Sequence, residues 1–313
     1  MRRLAGVAVL ACLAAGPAAA RTVKPSPAML KAFDASGQAY QRESIEDAAR
    51  NGDAKAQLKL GELYRFGQGG FPQDVVRACN AWELAKASEG AAAHDFAQCF
   101  YDGIGRARDY GAARVWYRQG VDLGFVPSKC ALGNMLVRGL GGASDATAGL
   151  ALCREAAEAG DVNAQADLGD YYLGAGGVLT PDPAQAKVWY EKAAVAGQPN
   201  AAFNLAVIYW NGDGGVLQDQ AQAVRWWRFA YAKGRAEAAK YLGDWAYLRF
   251  RALAGAPGGA ALLDEAIDWY QKAVAGAVTQ AARADAQLAL TAARAIRGDA
   301  PGRSRRGEAA SAR

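Results

Sequence analysis

A short unit recurs along this chain, and that recurrence limits what it can fold into more than any other feature. A Leu-Gly-like pair returns at Leu60-Gly61, Phe96-Ala97, Leu132-Gly133, Leu168-Gly169, Leu205-Ala206 and Leu242-Gly243, at spacings of 36, 36, 36, 37 and 37 residues. A closing glycine keeps nearly the same period at Gly90, Gly124, Gly160, Gly197 and Gly234. Two independent markers with one period describe stacked supersecondary units, each burying its apolar face only against its neighbours.

Within a unit the spacing predicts a helical hairpin. Helix A carries Ala56, Leu60, Leu63 and Tyr64 in the first copy and Ala201, Leu205, Ile208 and Tyr209 in the fifth, an apolar face at helical spacing. The second residue of each pair is Gly or Ala, which predicts a close approach of neighbouring helix backbones. A glycine-rich turn follows and ends on an aspartate in all six copies: Asp74, Asp109, Asp145, Asp182, Asp219 and Asp264. Such an Asp accepts from the free N–H groups of a helix start and meets its positive dipole end, worth about 1 kcal/mol. Helix B then presents Trp82, Trp116, Trp189, Trp226 or Trp269, read as core, so that Trp189→Ala is expected to cost about 3–5 kcal/mol. The closing glycine stops the helix.

The pattern Ala-x-x-x-Leu-Gly-x-x-Tyr, then Gly-x-Gly-x-x-x-Asp, then Ala-x-x-Trp-Tyr and a terminal Gly resembles the Sel1-like repeat, a relative of the tetratricopeptide repeat. It covers residues 54–277 in six copies. The resemblance implies an all-α protein, a right-handed α–α superhelical solenoid of Sel1-like, tetratricopeptide-like hairpins. Three copies depart from the pattern. The second has Phe96-Ala97 and a short turn, the third has Leu152-Cys153 in place of Trp-Tyr, and the sixth carries an inserted stretch from Arg249 to Leu263. Residues 43–53 and 278–298 read as helices capping the two ends of the array. Residues 21–42 form an N-terminal extension and 299–313 a tail too polar to order itself.

Residues 1–20 run from Arg2 and Arg3 through the apolar stretch Leu4–Ala15 to Ala18-Ala19-Ala20. That order is a secretory signal peptide, too short to span a bilayer, and no second such segment follows. The expected location is a bacterial periplasm or the medium. A lipoprotein anchored through Cys12 is the lesser alternative, because Leu10 and Leu13 fit a lipoprotein processing site poorly.

The remaining cysteines are Cys79, Cys99, Cys130 and Cys153. In an antiparallel hairpin, bridged residues lie equally far from the turn. The midpoint of 79 and 99 falls beside Gly90, and that of 130 and 153 falls within Gly139–Gly142. Both are connections, so Cys79–Cys99 and Cys130–Cys153 is the expected pairing in an oxidising compartment.

Charge and chemistry then exclude several functions. Arg2 and Arg3 account for two of the net +5. The tail, with four arginines against Asp299 and Glu308, accounts for two more. Residues 21–298 therefore lack the cationic face that displaces counterions from a nucleic acid. With one histidine, His94, read as a partly exposed polar residue, and no Gly-x-Ser-x-Gly, His-Glu-x-x-His or phosphate-loop motif, no catalytic, metal or cofactor site is expected.

In helical-hairpin solenoids the A helices line the concave side. The residues after each small partner read Glu62, Gln98, Asn134, Asp170, Val207 and Asp244. Those before each pair read Lys59, Asp95, Ala131, Asp167, Asn204 and Tyr241. The resemblance implies a non-enzymatic scaffold, a monomer that holds a protein or extended peptide on this stripe. Glu62, Gln98, Asn134, Asp170, Asn204 and Asp244 would be its polar contacts, Trp210 and Tyr241 its aromatic anchors, and Asn134 and Asn204 its donors to backbone amides. The alternative, also from the resemblance, is binding or processing of cell-wall ligands such as peptidoglycan fragments or β-lactam-like compounds.

Overall fold

The computed structural model describes residues 42–253 and 256–298; the leader, Cys12, residues 21–41 and the 299–313 tail lie outside them. Helix α1 covers residues 42–50. The A helices are α2 (Ala54–Phe66), α4 (Gly90–Asp102), α6 (Val126–Arg138), α8 (Val162–Tyr172), α10 (Pro199–Asn211) and α12 (Ala238–Ala252). The B helices are α3 (Val75–Ala85), α5 (Tyr110–Asp122), α7 (Ala146–Glu158), α9 (Pro183–Val195), α11 (Gln220–Ala232) and α13 (Gly259–Gly276). Helix α14 (Gln280–Arg297) packs on α13. No strand occurs among the described residues. Each A helix packs against its own B helix, and each B helix against the next A helix. In the middle of the array successive A helices also touch, α4 with α6, α6 with α8 and α8 with α10. The chain is an all-helical solenoid.

Five of the six aspartates are caps. Asp74, Asp109, Asp145, Asp182 and Asp219 accept from the backbone N–H three residues on, each at 2.9–3.0 Å. Asp264 corrects the expectation. The inserted stretch lengthens the sixth unit, α13 begins at Gly259, and Asp264 lies inside the helix, where it accepts from Arg297 Nε at 2.7 Å. Gly90 differs as well. It is the first residue of α4, while Gly124, Gly160, Gly197 and Gly234 take the positive φ that ends a unit.

Trp82 and Trp189 are buried as expected, but the aromatic read as core shifts by one position in units two, five and six. Trp116, Trp226 and Trp269 are half-buried. The residue after each, Tyr117, Trp227 or Tyr270, is buried, as Tyr190 is after Trp189. Eight residues beyond the capping Asp, the side chain points back at helix A. There it meets the small member of the Leu-Gly pair. A methyl group on Gly61 would lie 2.1 Å from Trp82 Nε1, one on Gly169 2.6 Å from the Tyr190 ring, and one on Gly243 2.7 Å from the Tyr270 ring. In these units the glycine seats a ring rather than bringing two backbones together.

Backbones do approach in the third unit, where Cys153 holds the ring's place. A methyl group on Gly133 would lie 2.5 Å from the Gly149 carbonyl oxygen and 2.9 Å from Cys153 Sγ. The expected cysteine pairing is present: Cys79–Cys99 and Cys130–Cys153 are bonded, with Cα separations of 6.2 and 4.0 Å.

Candidate functional site: the A-helix face

The stripe on the A helices is less free than its polarity suggests. Asn134 Nδ2 donates to Asp167 Oδ2 at 2.7 Å, and its Oδ1 accepts from the Tyr171 hydroxyl at 2.6 Å. Asn204 Nδ2 donates to Asp170 Oδ1 at 3.2 Å and to the Tyr190 hydroxyl at 3.1 Å. Both asparagines, expected to serve a partner's backbone, are used to tie unit three to unit four and unit four to unit five. Asp244 accepts from the Tyr270 hydroxyl at 2.9 Å and pairs with Lys240. Gln98 donates to Asp102 at 3.1 Å, and Glu62 pairs with Lys59 at 2.8 Å. The two anchors stay partly open. Tyr241, 39% exposed, lies between Phe203 and Trp227, with ring centroids 5.1 and 5.0 Å away. Half-buried Trp210 packs at a tilt against Trp227, with ring centroids 5.3 Å apart.

Two cavities open along this face. One, of about 240 Å³, has the Cys79–Cys99 bridge and Trp82 in its floor, with Phe66, Ile104, Arg65 and Asp102 around it. The other, of about 220 Å³, lies between α4, α6 and α8. His94, Gln98 and Tyr101 form one wall and Asn163 and Asp167 the opposite one, while Ala131 and Asn134 lie between.

Burial sets the electrostatics of this second recess. His94 is pushed down to about 4, by burial first and by the charge of Arg65 second. Its Nδ1 sits 3.1 Å from the buried Ser128 hydroxyl, and its ring packs between Tyr117 and Phe125. The partly exposed polar histidine expected from sequence is thus a half-buried ring that is neutral at pH 7. The Asp167 carboxyl is held above the ordinary carboxylate range by burial, with Asp170 and Asp161 acting in the same direction and the Asn134 bond opposing. None of the residues lining the recess is a lysine or arginine. The arrangement offers an uncharged aromatic wall and a recessed carboxylate; the hydroxyl beside His94, that of Ser128, is wholly buried and does not line the recess. Among the described residues no cluster of His, Cys, Asp or Glu has metal-holding geometry.

The sequence profile of the Sel1 repeat matches residues 54–84, 90–125, 126–161, 162–197, 199–234 and 236–277. The chain belongs to the Sel1 repeat family. Its array is similar to the crystal structure of c5321, a protective antigen present in uropathogenic Escherichia coli strains displaying an SLR fold. The identity is 29% and the TM-score 0.57, over 80% of this chain and 51% of that one. The chain therefore spans about half the length of the E. coli protein. A Sel1 repeat protein from Oxalobacter formigenes is 24% identical with a TM-score of 0.58, over 70% of this chain and 86% of that one, and shares the fold. No curated protein matches the chain.

Placed on the Sel1 units, the second recess belongs to repeats two, three and four. Of its walls, the sequence makes Gln98 and Asn134 candidate contacts, places Asp167 on the same stripe without assigning it a contact, reads His94 as a partly exposed polar residue, and gives no signal for Tyr101 or Asn163. The available signal was Ala131, a short side chain where the other five repeats carry Lys59, Asp95, Asp167, Asn204 and Tyr241.

Proposed function

We propose that this Sel1 array is an exported, non-catalytic scaffold that holds an extended segment of a partner protein against its A-helix face. The observation that carries the reading is the recess shared by α4, α6 and α8, in which three successive repeats contribute walls to one opening. A segment lying across the A helices would meet them at one-repeat intervals, so several units would contribute to one binding event. Tyr241 and Trp210 supply aromatic surface further along the same face, and Gln98, Glu62 and Asp244 supply its polar contacts. Asn134, Asp170 and Asn204 hold the units in register beneath the ligand.

Export is supported by the two disulfides, which form and persist in oxidising compartments, and by the leader-like first 20 residues. No helix among the described residues is long and apolar enough to cross a membrane.

The test is site-directed photocrosslinking in the periplasm. A benzophenone side chain is placed at Gln98 or Tyr241 on the A face, and at exposed Val115 on the B helix α5 as the control. A protein adduct from the A-face positions alone is expected. Retention of the purified protein on peptidoglycan fragments, with no A-face protein adduct, would favour the cell-wall reading instead.

A further inference from the structure

The recess at Ala131 has a definite origin. The position just before the Leu-Gly pair points onto the A face in every unit, and five units fill it with Lys59, Asp95, Asp167, Asn204 or Tyr241. Unit three has a methyl group there. The missing side chain leaves an opening of about 220 Å³ between the neighbouring A helices, a hole of side-chain dimensions facing the surface on which a partner is proposed to lie.

What surrounds the hole selects what fills it. Tyr101, Tyr117 and the ring of His94 give it flat, uncharged walls. The Tyr101 hydroxyl is already engaged by Arg138 at 3.1 Å. Gln98, Asn134 and Asn163 line it with amides. On one side Asp167 uses Oδ2 to accept from Asn134, and its Oδ1 has no hydrogen-bond partner among the described residues. Asp161, also in the lining, spends one oxygen capping α8 at the Ala164 N–H, 2.7 Å away. Among the described residues no lysine or arginine lines the cavity, so its carboxylates have no cation beside them there. A planar guanidinium matches this set better than an ammonium. It donates in a fixed fork to a carboxylate and stacks on aromatic faces, whereas an apolar side chain would leave Asp167 desolvated and unpaired.

We propose that the Ala131 recess receives one arginine side chain of the bound segment, its guanidinium lying between the Tyr101 wall and Asp167 and donating to that carboxylate. This rests on the A-face reading above and gives it a first specificity-determining position. Asp167 and Ala131 set that specificity, Asp167 by charge and Ala131 by leaving the space.

The experiment uses the protein from residue 21 onward, labelled with ¹⁵N. It is titrated with acetyl-Gly-Arg-Gly-amide and with the citrulline peptide of the same shape and no charge. A single side chain should bind at about millimolar strength, and the side-chain amides of Gln98, Asn134 and Asn163 should shift. Citrulline should bind at least about tenfold more weakly, the loss of one charge-assisted contact. Asp167→Asn should lose the same factor while still accepting from Asn134. Ala131→Tyr, which restores what unit six carries, should abolish binding with the helical circular dichroism unchanged. Asp264→Asn, on α13, should bind as the parent does.

Equal binding of the two peptides, unchanged binding by Ala131→Tyr, or no shift up to about 20 mM would overturn the proposal. Shifts confined to the Tyr241 and Trp210 region would overturn it too, while leaving the A-face reading in place. Failure of the photocrosslinking experiment would remove both.

Discussion

The Tyr190 hydroxyl donates to Oδ1 of Asp170, the residue that directly follows the glycine on which the same ring rests. Tyr270 repeats the relationship with Asp244 at 2.9 Å, across Gly243. Helix A therefore offers helix B a two-residue receptor: a glycine for the face of the ring and an aspartate for its tip. In unit five, where the ring belongs to Trp227, the receptor changes. Val207 follows Ala206 opposite Trp227, and the buried Nε1 of Trp227 has no acceptor.

Tyr190→Phe is expected to cost about 1.5–3 kcal/mol in urea unfolding, since the acceptor is charged and half-buried. The Asp170 carboxyl already lies above the ordinary range because of its burial, and the Tyr190 and Asn204 bonds hold it down. Removing the hydroxyl should raise it further, which a carboxyl-detected NMR titration reads directly. A double-mutant cycle with Asp170→Asn should show coupling between the two residues. Additive losses would mean that the bond contributes nothing to stability.

The two disulfides should not be equivalent. They close loops of 20 and 23 residues, so chain entropy alone gives each about 3 kcal/mol. Cys79 and Cys99 lie beside a unit core that also contains Trp82 and Phe96. Cys153 is itself the residue at the ring position of unit three, wholly buried against Gly133. Replacing Cys130 and Cys153 together by serine should therefore destabilise more than replacing Cys79 and Cys99, because two hydroxyls then enter a site with no ring to fill it. Urea midpoints of the two double variants decide this. Equal losses would show that only loop closure matters.

How far the sequence could be read is clearest at the caps. The repeat period and the Asp positions located five helix starts, because a cap is a local interaction between one side chain and a backbone three residues away. Asp264 matched the pattern but not the geometry. Whether an Asp caps or sits inside a helix depends on where the helix begins, and the insertion in unit six moved that start to Gly259. The choice between Trp226 and Trp227 was illegible for a related reason. Both are bulky, and one residue of helix is a 100° turn that only packing fixes. The use of Asn134 and Asn204 as ties between units depends on neighbouring A helices, which no single repeat contains.

Consequently Asp182→Ala should cost about 1 kcal/mol through loss of the α9 cap. Asp264→Ala, which removes an exposed pair with Arg297, should cost no more than about 1 kcal/mol and commonly far less. The sharper readout is amide exchange. Asp182→Ala should accelerate exchange at Gln185, whose N–H the carboxylate accepts, whereas Asp264→Ala should leave the start of α13 unchanged.

His94 and Asp95 are adjacent on α4 and titrate in opposed senses. Burial, helped by Arg65, pushes His94 from 6.5 to about 4. Below pH 6.5 the unfolded chain takes up a proton that the fold refuses, so this residue lowers stability progressively as pH falls from 6.5 to 4. Burial, opposed by Arg65 and assisted by Glu62, raises Asp95 from 3.8 to about 6. Here the fold keeps a proton that the unfolded chain releases, so the stabilisation is present below pH 3.8 and is lost as pH rises to about 6. Across pH 4–6 the two slopes offset each other. Relative to the parent protein, Asp95→Asn should make the melting temperature climb more steeply between pH 4 and 6. His94→Gln should tilt the profile the other way, toward lower stability at pH 6 than at pH 4. Melting curves taken every half unit would test the pair, and variants whose profiles keep the parent's slope would show that neither group is desolvated in the fold.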